Sequence, residues 1–191
     1  MTYYAVNFRD RSIVLIGMMG AGKSSVGRCL QRRTKLTLLD TDEIVASKFG
    51  MSIHEIFSKY GEHAFRETET QALHEITPAK QTIIVTGGGI ILREENIAFL
   101  KRLGAVVWLN ANEETLFKRA SRSANRPLLR GEHPREAFAR MLQARLPLYA
   151  KVARIRVDTA VLTDEEVAVA ILSKLVILTS EPGSAIPAKA S

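Results

Sequence analysis

The chain of 191 residues contains one cysteine, one tryptophan and 6% aromatic residues. It has no long apolar run and no block of like charge. Each scarcity excludes something. A lone cysteine, Cys29, permits no intramolecular disulfide and fits a reducing compartment. It sits among helix-forming residues and reads as a small buried filler rather than a nucleophile. No apolar stretch approaches the ~20 residues needed to span a bilayer, so no membrane partner is expected. The opening MTYYAVNFRDR lacks the apolar segment of a secretory signal, which makes the cytoplasm the expected location. The net charge of +7 invites a nucleic-acid reading. However, the basic residues are dispersed, aromatics are few and no nucleic-acid motif occurs, so no such partner is expected. A diffuse positive field serves a small anion equally well. His54, His63, His74 and His133 share no ligand spacing with each other or with Cys29, which argues against a zinc site.

What is present suits one soluble domain: 46% apolar and 25% charged residues, in a chain long enough to bury a core unaided. Gly17-Met18-Met19-Gly20-Ala21-Gly22-Lys23-Ser24 fits G-x-x-x-x-G-K-[ST] and follows the apolar run Ile13–Ile16. A buried strand, a glycine loop and a helix start make a polyphosphate cradle, with backbone N–H groups and the helix dipole directed at the anion. Lys23 then reaches the β- and γ-phosphates, and the Ser24 hydroxyl is placed for Mg²⁺. Val26 and Leu30 give the following helix, Ser25 to Arg33, its core-facing stripe. Arg28, Arg32 and Arg33 on that helix read as a solvated face. The chain is expected to bind a nucleoside triphosphate.

Further apolar runs at Leu36–Leu39, Thr82–Thr86, Ala105–Leu109 and Ala153–Val157 alternate with stretches of helical spacing. Ser52-x-x-Glu55 and Thr163-x-x-Glu166 are capping boxes, Gly50 and Gly104 lie at helix ends, and Pro78 is expected to close a helix over Glu62–Thr77. The alternation predicts an α/β fold with a parallel sheet covered on both faces. Ala120–Pro134 has no clear period and carries Arg122, Arg126 and Arg130, as expected of either a functional lid or a disordered loop. The predicted organisation is an N-terminal extension over 1–11, a domain over 12–178 with the lid at about 120–134, and an unstructured tail over 179–191.

Ligands of such sheets bind beyond the carboxyl ends of the strands. Asp40-Thr41-Asp42 and Gly87-Gly88-Gly89 both follow predicted strands. Asp40 and Asp42 suit either the cap of the next helix or a magnesium ion and a second substrate, and the neighbouring cradle favours the latter. Three successive glycines cost backbone entropy, and close approach to a ligand accounts for them. Arg66 and Glu69 share a helix face. They are either a solvated ion pair or a guanidinium held ready for a carboxylate, and Arg145 carries the same ambiguity.

Taken with Ile53-His54-Glu55-Ile56-Phe57, Gly61-Glu62, Phe65-Arg66, Glu69 and Arg126-Pro127-Leu128, these motifs resemble the shikimate kinase family. The resemblance runs from about Ser12 to Leu175, in the family's order. It implies a three-layer αβα fold with a five-stranded parallel sheet, like nucleoside monophosphate kinases, acting as a monomer. It implies transfer of phosphate from ATP to the 3-hydroxyl of shikimate, giving shikimate 3-phosphate and ADP, a step of aromatic amino acid biosynthesis through chorismate. Gly20, Ala21, Gly22, Lys23, Ser24 and Ser25 would hold ATP, with Arg119 near adenine and Arg126 descending onto the transferring phosphate. Ser24 and, through water, Asp40 would hold Mg²⁺. Asp42 would orient or deprotonate the acceptor hydroxyl, making Asp42, Lys23 and Arg126 the catalytic set. Arg66 and Arg145 would bind the shikimate carboxylate, Glu69 would fix Arg66, Gly87, Gly88 and Gly89 would line the ring, and Phe57 would wall it. Ser25 stands where the family usually has Thr and keeps the hydroxyl. The sequence singles out no adenine contact beyond Val157. Two rivals are a gluconate-type or nucleoside monophosphate kinase, which leaves Arg66-x-x-Glu69 and the glycines unexplained, and a silent ATP-binding module, which predicts a missing site residue.

Overall fold

A computed structural model describes residues 12–76, 81–122 and 132–180. Five strands, β1 Ser12–Ile16, β2 Thr37–Asp40, β3 Thr82–Val85, β4 Gly104–Asn110 and β5 Ile155–Asp158, form one parallel sheet in the order β2-β3-β1-β4-β5. Every residue of β1 is buried. Because successive side chains point to opposite faces, helices must cover both sides, which is why β1 reads as an unbroken apolar run. The helices are α1 Lys23–Thr34, α2 Thr41–Phe49, α3 Ile53–Glu75, α4 Glu94–Leu103, α5 Glu113–Ala120, α6 Pro134–Val152 and α7 Asp164–Ser180. Among the described residues no helix is long and apolar enough to cross a membrane.

β1 lies between β3 and β4, so the connections leave it in opposite directions along the sheet and open a crevice at its carboxyl end. That is where the glycine loop falls. The five predicted strands all form. The second begins one residue late, because Lys35 closes α1 in the left-handed region (φ 62°), and it runs on through Asp40.

The predicted caps explain several boundaries. The Ser52–Glu55 box is reciprocal at the start of α3, Thr163 and Glu166 exchange the equivalent bonds at α7, and Gly50 ends α2 at φ 62°. The Glu62 helix is the second half of α3, which is broken at Gly61 and ends at Glu75. Pro78 lies outside the described residues. α7 runs to Ser180, past the expected boundary at 178. Residues 1–11, 123–131 and 181–191, including the centre of the proposed lid, also lie outside the description.

Of the α1 arginines, Arg28 and Arg32 are exposed as expected, and the face also carries an ion pair. Arg32 and Arg33 both donate to Glu165, at 2.6 and 2.8 Å, and tie α1 to the first turn of α7. Cys29 is buried beside them, as a filler should be.

Candidate active site

The loop between β1 and α1 turns through Gly20 and Gly22 at φ 85° and 88°, with Gly22 as the cap residue of α1. No side chain caps this helix, so its first N–H groups remain directed at whatever occupies the loop. Lys23 Nζ is held over the loop, donating to the carbonyls of Gly17 (2.8 Å) and Met18 (3.2 Å). The cradle opens into a cleft of about 630 Å³ lined by Lys23, Ser24, Ser25, Arg119 and the turn Leu162-Thr163-Asp164 before and into α7. Arg119 donates to Thr159 Oγ1 (3.2 Å) and to the Thr159 carbonyl (2.9 Å), fixing the β5–α7 loop beside that turn. Leu162 to Asp164 line the cleft beyond Val157, where the sequence singled out no particular residue.

Asp40 takes the capping role weighed for it and also meets the cradle. Its Oδ1 accepts from the Asp42 N–H (3.0 Å) and caps α2, while Oδ2 accepts from the Ser24 hydroxyl (3.4 Å). One carboxylate thus starts a helix and joins the cradle's hydroxyl. A serine oxygen and a carboxylate oxygen beside a phosphate cradle are a donor set that suits Mg²⁺, which keeps several waters and phosphate oxygens as ligands. No cluster of three metal-ligating side chains occurs among the described residues, and such an ion needs none.

Thr41, missed in the sequence, connects this segment to the glycines. It is fully buried, and its Oγ1 accepts from the Gly87 N–H at 3.2 Å. The bond fastens the start of α2 to the end of β3 and brings Asp42 over Gly87. A Cβ on Gly87 would stand 2.5 Å from Glu69 Oε1 and 2.6 Å from Asp42 Oδ1, and one on Gly89 would overlap the Arg66 guanidinium. The immediate reason for glycine at these two positions is the chain's own charged side chains, packed against the backbone where a methyl group has no room. Gly88 faces the cradle instead: its Cβ would lie 3.4 Å from Gly17 O and Met19 N, and 3.7 Å from Arg145 Nη1. Adjacent residues thus touch Asp42 on one side and the phosphate loop on the other.

Arg66 is buried, donating through Nη1 to Glu69 (2.7 Å) and through Nη2 to Glu62 (3.1 Å). The question left open by the spacing is answered: this is no solvated pair, since Glu69 is fully buried. Arg145, from α6, is buried as well, with Nη1 at 3.8 Å from Met18 Sδ. Phe57 is half-buried and packs on Phe65 at 4.7 Å between ring centres, and the Arg66 guanidinium lies 5.0 Å from the Phe65 ring. Burial pushes the Glu69 carboxyl up to about 7, against the pull of Arg66, and the neighbouring Asp42 charge adds to the rise. Arg66 and Arg145 are the cationic groups offered to an anion here, partly offset by Glu62, Glu69 and Asp42. Arg126 lies outside the described residues.

A sheet of this order, with its cradle at the β1–α1 turn, is the architecture of nucleoside monophosphate kinase-like P-loop kinases. The shikimate kinase family profile matches residues 19–176. A curated shikimate kinase from Thermodesulfovibrio yellowstonii is 45% identical over 164 residues, which make up 86% of this chain and 94% of that one. The structure of shikimate kinase from Acinetobacter baumannii in complex with shikimate superposes with a TM-score of 0.86 at 38% identity, over 90% of this chain and 96% of that chain. A gluconokinase from Sinorhizobium meliloti shares the fold alone, with a TM-score of 0.59 at 19% identity over 90% and 98% of the two chains. The chain belongs to the shikimate kinase family.

Proposed function

We propose that this chain transfers the γ-phosphoryl group of ATP to the 3-hydroxyl of shikimate, giving shikimate 3-phosphate and ADP. The observation that carries this reading is the pair of buried guanidiniums, Arg66 and Arg145, set against Gly89 and Gly88 at the edge of the phosphate cradle. A ring acid docked on them is held beside the triphosphate. Asp42 orients the acceptor hydroxyl and takes its proton as the oxygen bonds to phosphorus, and the bond to the β-phosphate oxygen breaks with its electron pair left on ADP. Lys23 and Arg126 neutralise charge on the transferring group, which is most of what phosphoryl transfer asks of a protein. Ser24 and, through water, Asp40 would hold Mg²⁺, which would add charge neutralisation and phosphate orientation. Gly20, Ala21, Gly22 and Ser25 shape the ATP site, Arg119 flanks its base, and Phe57 walls the acceptor side. The enzyme acts as a cytoplasmic monomer in this reading, which light scattering tests. ADP release with shikimate, gluconate, AMP or no acceptor tests the reaction itself. Turnover with gluconate or AMP in preference to shikimate would overturn it.

The glycine packing makes a separable prediction. Gly87→Ala pushes on Asp42 and Glu69, whereas Gly89→Ala pushes on Arg66. The first is expected to lower kcat about tenfold or more, and the second to raise the shikimate KM by a similar factor, since displacements near 1 Å cost on this scale. Equal effects of both on both parameters would contradict the division of roles.

Glu69 sets a pH dependence. It is faced by Arg66 on its own helix, by Asp42 on α2, and by Arg145 and Tyr149 on α6. A carboxyl raised to about 7 is neutral below that pH and charged above it. A docking carboxylate meets less repulsion from the neutral form and in turn raises its proton affinity. Shikimate affinity is therefore expected to fall about threefold or more from pH 6 to pH 8, with proton uptake on binding near pH 7. Calorimetry in two buffers of different ionisation enthalpy measures that uptake, which Glu69→Gln should abolish. Proton release on binding would reverse the assignment.

A further inference from the structure

Arg145 and the glycine triplet come from distant parts of the chain, and the proposed acceptor site needs both in fixed relation. α6 carries Arg145 and, four residues on and hence on the same helix face, Tyr149. Tyr149 is fully buried, and its hydroxyl donates to the Gly88 carbonyl at 2.5 Å. The Arg145 guanidinium stands beside the same hydroxyl and interacts with it electrostatically. The ring stacks on Trp108, with 5.8 Å between ring centres, and Trp108 pairs in register with Ile16, the residue before the phosphate loop. Burial pushes the phenol's pKa up, so the hydroxyl stays a donor throughout the working pH range.

We propose that Tyr149 is a positioning residue for shikimate: its hydroxyl locks α6 to the Gly88 carbonyl and so holds Arg145 in register with the glycine triplet. Three observations carry this. The bond joins residues 61 positions apart, one on each of the two elements. Gly88 is the point where the triplet, the phosphate loop and Arg145 meet. Pro147, inside α6 between Arg145 and Tyr149, cannot donate the helical hydrogen bond at its position, so the helix segment carrying both residues is less constrained by its own backbone. The inference rests on the proposed shikimate reaction.

Tyr149→Phe removes one oxygen and keeps the ring on Trp108. The shikimate KM is expected to rise about five- to tenfold, the size of one lost buried hydrogen bond, with the ATP KM unchanged and kcat altered less than the shikimate KM. KM does not depend on how much of the sample is folded, so a loss of stability leaves the readout intact. Calorimetry measures shikimate binding directly in the absence of ATP. Trp108→Phe is the control that weakens packing and keeps the hydroxyl bond; it should lower Tm and leave the shikimate KM unchanged. A Tyr149→Phe enzyme with shikimate KM within twofold of the parent, a parallel rise in both KM values, or a variant that yields no folded enzyme would assign Tyr149 to the core alone. A parent chain that fails to phosphorylate shikimate overturns the reaction itself; an active parent with an unaltered Tyr149→Phe variant overturns only the role of the tyrosine.

Discussion

Asp42→Asn is expected to lower kcat by about 10³-fold, within the range of a lost general base, while the KM for ATP stays within twofold. The substitution keeps size and leaves the α2 cap in place, because that cap uses the Asp42 backbone N–H and the Asp40 side chain. What is removed is a carboxylate, the proposed proton acceptor, together with its negative charge. The side chain is half-buried over Gly87, next to a carboxyl that burial pushes up to about 7. The neighbouring Glu69 carboxyl is already engaged by Arg66. Steady-state kinetics with saturating ATP measure the loss. A variant retaining a tenth of parental turnover would show that Asp42 only orients the hydroxyl and that the proton leaves by another route.

Arg126→Ala should give a loss of comparable size, about 10³-fold in kcat, the lower end for an arginine that stabilises a transferring phosphoryl group. The argument is one of charge. Of the described cationic residues that line the cleft, Lys23 is anchored on two loop carbonyls, Arg119 is engaged by Thr159, and Arg122 stands exposed in the first residues of the expected lid segment. Arg126 stands in the segment expected to form the lid. Binding of both substrates should change little, because the interaction strengthens only in the transition state. Calorimetric binding of ADP and shikimate together with single-turnover rates separates the two effects. A variant with normal single-turnover rates would remove Arg126 from the catalytic set.

Much of this protein was legible because its signals are local. The strand, glycine loop and helix of residues 13–33 follow from nearest-neighbour chemistry. Fully buried parallel strands appear as apolar runs, and capping boxes mark helix starts wherever they occur. Arg66 and Glu69 lie one turn apart, so their pairing was foreseeable; whether they were solvated was not, because burial depends on what packs over α3. The same limit applies to the glycines. Their need for a close approach could be read from composition, but the approaching groups, Asp42, Glu69 and Arg66, were set by the fold.

The sequence by itself determined that a triphosphate cradle ends the first strand of a parallel α/β sheet, and that carboxylates, glycines and arginines recur at the strand ends. Only the tertiary structure decided how those ends interlock. The Thr41 hydroxyl accepts from the Gly87 N–H 46 positions away, Tyr149 reaches Gly88, the Arg119 loop walls the nucleotide cleft, and Arg32 and Arg33 converge on Glu165. Side-chain bonds between remote segments have no period and no characteristic spacing. They exist because the strand order β2-β3-β1-β4-β5 places those segments at one edge, and that order is a property of the packed whole.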